Sequence, residues 1–270
     1  MVFTDIDGTL TDIITGQYKQ SKDLIQELKE NNIPVVLCSA KTVSEQEKIR
    51  KDMRLRQPFI VENGGAVIIP VNYFSRSSLL LMKKYKKIGN YLVIEIGKPA
   101  RIVRKRLDIL RRNSKIEFKG VADLSIKELS RITSLRPSYA RRMADRKFGE
   151  TILQINQRDI PEFTRRARDI GLKVIHGGRF LDVTTGNDKG EAVKILLQLF
   201  RKEYGQGVMS FGIGDSLNDA PMLRHMDVAM LVQRPDKSWS HLQNKNIINL
   251  PGIGPKGWKN ALDIILKTII

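Results

Sequence analysis

The chain has 270 residues, 41% of them hydrophobic, which is enough for a buried core and for two compact domains. Its apolar runs, such as Leu79 to Met82 and Val67 to Ile69, are far too short to span a bilayer; a single cysteine, Cys38, excludes an intrachain disulfide, and no Cys/His cluster has zinc-ligand spacing. The formal charge of +18 is unevenly spread: residues 83–180 hold 26 Lys and Arg against 10 Asp and Glu, whereas the two flanking segments together carry only +2.

The first residues, Met1-Val2-Phe3-Thr4-Asp5, have neither the basic flank nor the apolar stretch of a secretory leader, so a cytoplasmic location is expected. Val2-Phe3-Thr4 reads as a short strand running into Asp5-Ile6-Asp7-Gly8-Thr9, where the glycine permits a tight turn. Ser21 has the position of an N-cap for a helix with Leu24, Ile25 and Leu28 on one face, and Asn31-Asn32 end it before a strand over Val35 to Ser39. Cys38 falls inside that apolar strand and is expected to be a small core residue. A helix over Val43 to Met53 leads to the strand Phe59-Ile60-Val61, the turn Glu62-Asn63-Gly64-Gly65, and a return strand over Ala66 to Ile69.

The middle of the chain changes character. A strand over Tyr91 to Ile96 is followed by a helix over Ile102 to Leu110 very rich in Arg and Lys, then by a strand over Thr151 to Ile155, a helix over Pro161 to Ile170, and a strand over Leu172 to Ile175. From Asp188 a βαβ rhythm resumes. Asp188 is expected to cap a helix burying Val193, Ile195, Leu196 and Leu199; strands over Val208 to Ile213 and Val228 to Val232 follow, then an irregular stretch over Gln243 to Gly257 and a terminal helix over Trp258 to Leu266. No internal repeat is present. The expected fold class is α/β: a Rossmann-like parallel-sheet core from residues 1–82 and 181–270, with an inserted α+β cap domain from residues 83–180 above the carboxyl ends of the strands.

Asp5 and Asp7 stand just beyond a strand end, and the turn at Gly8 lets them converge. Paired carboxylates serve as nucleophile and general acid/base, or hold a hard cation such as Mg²⁺, although Asp and Gly also favour ordinary turns. Three further segments fall where a strand ends or a helix begins, which is where anions are bound. Ser39 follows an apolar strand and precedes Lys41. Lys189 lies in the first turn of a helix, where the helix dipole disfavours a cation unless an anion needs it there. Gly214-Asp215-Ser216-Leu217-Asn218-Asp219 places two more carboxylates after a strand.

In this order, Asp5-Ile6-Asp7-Gly8-Thr9, Ser39, Lys189 and Gly214 to Asp219 resemble the four motifs of the haloacid-dehalogenase-type phosphatases. The resemblance implies that Asp5 attacks phosphorus and that Asp7 protonates the leaving oxygen and later activates water. It further implies that Ser39, Lys189 and Asn218 hold the phosphoryl oxygens, and that Mg²⁺ is held by Asp5, the carbonyl of Asp7, Asp215 and Asp219. Repulsion between a carboxylate and a phosphate dianion is the physical reason for so much positive charge at such a site.

Ser39-Ala40-Lys41-Thr42, Pro58 to Ala66, Gly177-Gly178-Arg179-Phe180 and Asp188-Lys189-Gly190 extend the similarity over nearly the whole chain, toward the mannosyl-3-phosphoglycerate phosphatase family. That implies a small anionic sugar phosphate as substrate, with Lys41, Arg146 and Arg179 as candidate partners for its carboxylate and sugar, and Asn63 and Gly64 lining the site. Rival readings are a capped phosphatase for glucosyl-3-phosphoglycerate, sucrose phosphate or trehalose phosphate, a phosphomutase, or a nucleic-acid-binding protein suggested by the basic insert. Aromatic residues there are too few for a stacking surface, so nucleic acid is not the expected partner, and no membrane partner is expected. Oligomeric state is not legible in the sequence.

Overall fold

The computed structural model of the chain describes residues 1–82, 84–243 and 246–269. Strand β1 (Val2–Thr4) is wholly buried and is joined through helix α1 (Lys19–Glu30) to β2 (Val35–Leu37). The cap of α1 differs from expectation. Tyr18 is its N-cap residue, while Ser21 lies inside the first turn and donates its hydroxyl to the Leu10 carbonyl at 2.5 Å. A buried hydroxyl needs a partner, and here it ties the helix to the loop after β1. Asn31 closes the helix and Asn32 follows at φ 54°.

Helix α2 (Val43–Asp52) begins with a reciprocal cap: the Thr42 hydroxyl accepts the Glu45 N–H at 3.2 Å and the Glu45 carboxylate accepts the Thr42 N–H at 2.9 Å. Strands β3 (Phe59–Val61) and β4 (Ala66–Pro70) form an antiparallel hairpin. After α3 (Arg76–Leu79), β5 (Lys86–Ile88) and β6 (Tyr91–Glu95) extend that hairpin into a four-stranded sheet of order β3-β4-β6-β5. The strand Tyr91–Glu95, grouped with the insert by its position in sequence, thus pairs with β4 along its whole length.

The basic helix α4 (Ala100–Arg112) leads through β7 (Phe118–Gly120), α5 (Ile126–Thr133) and α6 (Pro137–Ala144) to β8 (Glu150–Ile155), α7 (Ile160–Asp169), β9 (Lys173–His176) and β10 (Leu181–Thr184). The four strands make an antiparallel sheet of order β7-β8-β10-β9. Successive strand residues face opposite sides. Ile152 therefore joins Val103, Leu107, Phe163 and Ala167 of α4 and α7, while Leu153 joins Leu129, Ala140 and Met143 of α5 and α6.

Helix α8 (Lys189–Tyr204) is capped by Asp188, whose carboxylate accepts the N–H groups of Gly190 and Glu191. Then come β11 (Phe211–Gly214), α9 (Ala220–Leu223), β12 (Val228–Gln233), β13 (Ile247–Ile253) and α10 (Pro255–Ile269). The central sheet is parallel throughout, in the order β13-β12-β11-β1-β2. Part of the stretch expected to be irregular, Gln243 to Gly257, is therefore the edge strand β13. Its Pro251 removes a donor, which only an edge strand tolerates, and the register shifts beside it between Leu231 and Gln233. Alternation along β1 and β2 puts Val2, Val35 and Leu37 against α1 and α10, and Phe3, Val36 and Cys38 against α8. The result is a three-layer α/β/α core with β1 between β2 and β11.

Candidate active site

Three loops meet at the carboxyl ends of β1, β11 and β2. Asp5 continues the ladder, its N–H bonding the Ile213 carbonyl at 2.9 Å, and the chain then turns sharply as Thr11 N–H reaches the Ile6 carbonyl at 2.8 Å. Gly8 holds φ 81° in this turn, and a Cβ there would come 2.8 Å from Asp215 Oδ2. Only glycine combines that backbone with so close an approach to a carboxylate.

Lys189, fully buried in the first turn of α8, lies between two acids: its Nζ is 2.5 Å from Asp5 Oδ1 and 2.6 Å from Asp219 Oδ1. The other oxygen of Asp219 accepts the N–H groups of Asp215 and Ser216 at 3.0 and 3.1 Å. Thr9 Oγ1 donates to Asp215 Oδ1 at 3.3 Å. One oxygen from each of Asp5, Asp215 and Asp219 lies within 4.8 Å of the others. Two of the three clustered carboxylates, Asp5 and Asp219, thus share the Lys189 ammonium, and Asp215 lies beside them. Burial works against the charge of Lys189, but Asp219 and Asp5 outweigh it and hold its pKa above the usual lysine range. Burial raises the pKa of Asp5 despite Lys189, and burial with the charge of Asp219 pushes Asp215 up to about 7. An all-oxygen cluster with surplus negative charge suits a hard divalent cation.

Asp7 lies outside this cluster, its side chain half exposed, with Lys41 Nζ 2.9 Å from Oδ2. Glu45 stands 3.9 Å from the same ammonium. Burial disfavours the Lys41 charge, yet Asp7 and Glu45 more than compensate and raise its pKa. Ser39 is buried at the end of β2; its Oγ accepts the Lys41 N–H at 3.3 Å and its carbonyl accepts the Asn63 N–H at 3.0 Å. Asn63 donates from Nδ2 to Asp182 at 2.9 Å and accepts from Asn218 at 3.4 Å, and Asn218 in turn accepts from the Ser216 hydroxyl at 2.6 Å. Glu62, Asn63 and Gly64 have successive φ values of 49°, 53° and 82°. A Cβ on Gly64 would fall on the Asp188 carbonyl, so this left-handed turn sits directly against the start of α8.

The structure therefore connects Asp5, Asp215, Asp219 and Lys189 in one cluster, and Asp7, Lys41, Ser39, Asn63 and Asn218 through a chain of contacts beside it. Two other candidates lie differently. Arg146 is buried, donating to the Ala40 carbonyl at 3.1 Å and Asp182 at 3.5 Å, with Glu62 at 3.9 Å. Arg179 is exposed in the β9–β10 hairpin, donating to the Ile132 carbonyl at 2.9 Å with its guanidinium over the Phe180 ring. Several participants escaped the sequence reading. Glu62 accepts the N–H groups of Lys147 and Phe148 at 2.8 and 2.9 Å, and Asp182 also accepts from Thr151 at 2.5 Å. An acid inside the otherwise apolar Leu181-Asp182-Val183 was the available signal for Asp182.

The profile of the haloacid dehalogenase-like hydrolases matches residues 2–238. A glucosyl-3-phosphoglycerate/mannosyl-3-phosphoglycerate phosphatase of Methanococcoides burtonii is 35% identical over 270 residues, spanning 99% of this chain and 97% of that one. A mannosyl-3-phosphoglycerate phosphatase of Pyrococcus horikoshii is 34% identical over 251 residues, spanning 93% and 96%. Among solved structures, a haloacid dehalogenase-like hydrolase of Bacteroides thetaiotaomicron superposes with a TM-score of 0.64 over 98% of each chain at 16% identity, the same fold. On the strength of the profile and the full-length relatives, the chain belongs to the haloacid dehalogenase-like hydrolases and is a phosphoric monoester hydrolase.

Proposed function

We propose that this enzyme hydrolyses mannosyl-3-phosphoglycerate, and that Asp5 is its nucleophile. The observation that carries the chemistry is the single lysine, Lys189, shared by Asp5 and Asp219 while Asp7 stands free of that cluster at the open side of the loop. Asp5 forms a bond to phosphorus as the C3 oxygen of the glycerate leaves, giving an aspartyl phosphate. Asp7 supplies the proton to that oxygen and takes one from the water that releases phosphate. Lys189 and Ser39 bind phosphoryl oxygens, and Asn218 orients the group from the opposite loop. Mg²⁺ held by Asp5, Asp215, Asp219 and the Asp7 carbonyl would offset the negative charge gathered there. Lys41, held by Asp7 and Glu45 at the end of β2, is placed to meet the glycerate carboxylate, and Asn63 and Gly64 shape the wall beside it.

For Arg146 we propose bracing rather than substrate binding, because its guanidinium is engaged by Asp182, Glu62 and the Ala40 carbonyl. Arg179, on an exposed hairpin, remains the cap candidate for the sugar. We place the cap between Lys98 and Thr185, where the two linkers meet through the Lys98 N–H and the Thr185 hydroxyl at 3.0 Å. Soluble, cytoplasmic action fits the observation that among the described residues no helix is long and apolar enough to cross a membrane.

Phosphate release with Mg²⁺ from mannosyl-3-phosphoglycerate, glucosyl-3-phosphoglycerate, sucrose phosphate and trehalose phosphate, with Asp5→Asn as the blank, tests the proposal. Preference for the mannosyl compound is expected. Preference for the glucosyl compound is the second reading, supported by the double name of the Methanococcoides burtonii relative.

A further inference from the structure

Asp5 is held at two places. Its carboxylate meets Lys189, and its backbone carbonyl accepts the Thr4 hydroxyl at 2.8 Å. That hydroxyl is in turn the acceptor for the indole N–H of Trp258 at 3.0 Å. Thr4 and Trp258 are both fully buried, and Trp258 lies on α10, past residue 238 where the family match ends. A relay of indole, hydroxyl and carbonyl thus runs from the last helix to the peptide group that joins Asp5 to Ile6.

The direction of this relay is fixed by chemistry. An indole N–H can only donate, so it takes a lone pair of the Thr4 oxygen and leaves the single hydroxyl hydrogen for the Asp5 carbonyl. In a dry interior each bond of such a chain strengthens the next. The turn into α10 approaches the same loop. At Gly254, φ 53°, a Cβ would lie 3.3 Å from the Thr11 carbonyl and 3.6 Å from that of Gly8. Residues 254–258 therefore back the loop from Asp5 to Thr11 on the side away from Lys189. A buried indole needs an acceptor in any protein; here the acceptor's only hydrogen is spent on the nucleophile's own peptide.

We propose that Trp258 is a positioning residue for Asp5, acting through Thr4. The relay sets the plane of the Asp5–Ile6 peptide, hence the angle at which the loop leaves β1 and the relative placement of the Asp5 and Asp7 carboxylates. This rests on the reading of Asp5 as nucleophile. Trp258 itself touches no reacting atom.

The test compares Trp258→Phe, Thr4→Val, Thr4→Ser and the Phe/Val double variant, assayed on mannosyl-3-phosphoglycerate with Mg²⁺ below each protein's unfolding temperature. Trp239→Phe is the matched control, since it loses an indole bond to the Leu250 carbonyl instead. Trp258→Phe should lower kcat about fivefold and Thr4→Val about tenfold, with KM within about twofold of the parent. The double variant should be no slower than Thr4→Val, because both changes break one chain. Thr4→Ser, which keeps the hydroxyl, should retain parental kcat, as should Trp239→Phe. Parental kcat in Trp258→Phe and Thr4→Val, whatever their melting temperatures, overturns the inference, as do losses that multiply in the double variant. Turnover by Asp5→Asn would instead overturn the nucleophile reading, and it is read in the same assay.

Discussion

Asp5 combines two roles that pull in opposite directions. As a carboxylate it is the nucleophile proposed above; as one of three clustered buried acids it adds repulsion to a crowded site. Asp5→Asn should lower kcat by about 10⁴-fold or more, because an amide is a very poor nucleophile. The metal-free variant should unfold at or above the parental temperature, since one repelling charge is gone. Calorimetry beside the phosphate assay reads both, and a large loss of stability would show that the carboxylate is structurally required.

Asp215 sets a pH dependence in the metal-free protein. Its folded pKa of about 7 is raised by burial and by Asp219, so its contribution to stability is complete below the ordinary carboxylate pKa and is lost as pH rises through about 7. Divalent cations need the ionised form. The rise in melting temperature on adding Mg²⁺ should therefore be larger near pH 8 than near pH 5.5; a shift independent of pH would argue against Asp215 as a ligand. The placement of Asp5, Asp7 and Asp215 beyond strand ends was legible in the sequence because each follows an apolar strand and sits in a turn with glycine nearby. Glu62 was not, since its acceptor role depends on backbone donors 85 and 86 residues away.

At the scale of elements, the β3–β4 turn is the joint between core and insert. Its Glu62 collects the N–H groups at the end of the α6 segment, its Asn63 holds Asp182 of β10, and Arg146 lies between both acids. Helix α2 adds Ser44 Oγ to Asp145 at 2.6 Å and Thr42 Oγ1 to the Arg142 carbonyl at 2.8 Å. Arg146→Met should cost about 3–5 kcal/mol in urea unfolding, because it strands two buried carboxylates. If Arg146 gripped substrate instead, stability would hold and KM alone would rise. The parallel strands were legible from their apolar runs, and α8 from Asp188 and its apolar periodicity. β13 was hidden because Pro251-Gly252 reads as a breaker, and an edge strand is where a breaker is tolerated. β6 was assigned to the insert because a strand's own residues do not encode which sheet it will join.

Over the whole molecule the charge is lopsided. The insert's excess of cations is spread along it, with α4 alone holding six Lys and Arg against one Asp; Arg111 of α4 bridges Asp108 and Asp123, and on α7 Arg165 and Arg166 share Glu162. Such exposed pairs stabilise little. Their field should, however, act on the anionic substrate proposed above, so kcat/KM should fall several-fold between about 0.05 M and about 0.5 M NaCl while kcat stays level. A salt-independent kcat/KM would mean that the cations merely keep the surface solvated.

Cys38 gives the molecule a built-in clock. It is the chain's single thiol, wholly buried beneath α8, and burial pushes its pKa far above the usual range despite Lys189 nearby. An alkylating reagent can reach it only in molecules whose central sheet has opened, so the labelling rate counts those openings directly. Mg²⁺ should slow that rate if it binds the closed core, which would turn one unmodified side chain into a gauge of metal affinity in a mutant with no turnover to assay.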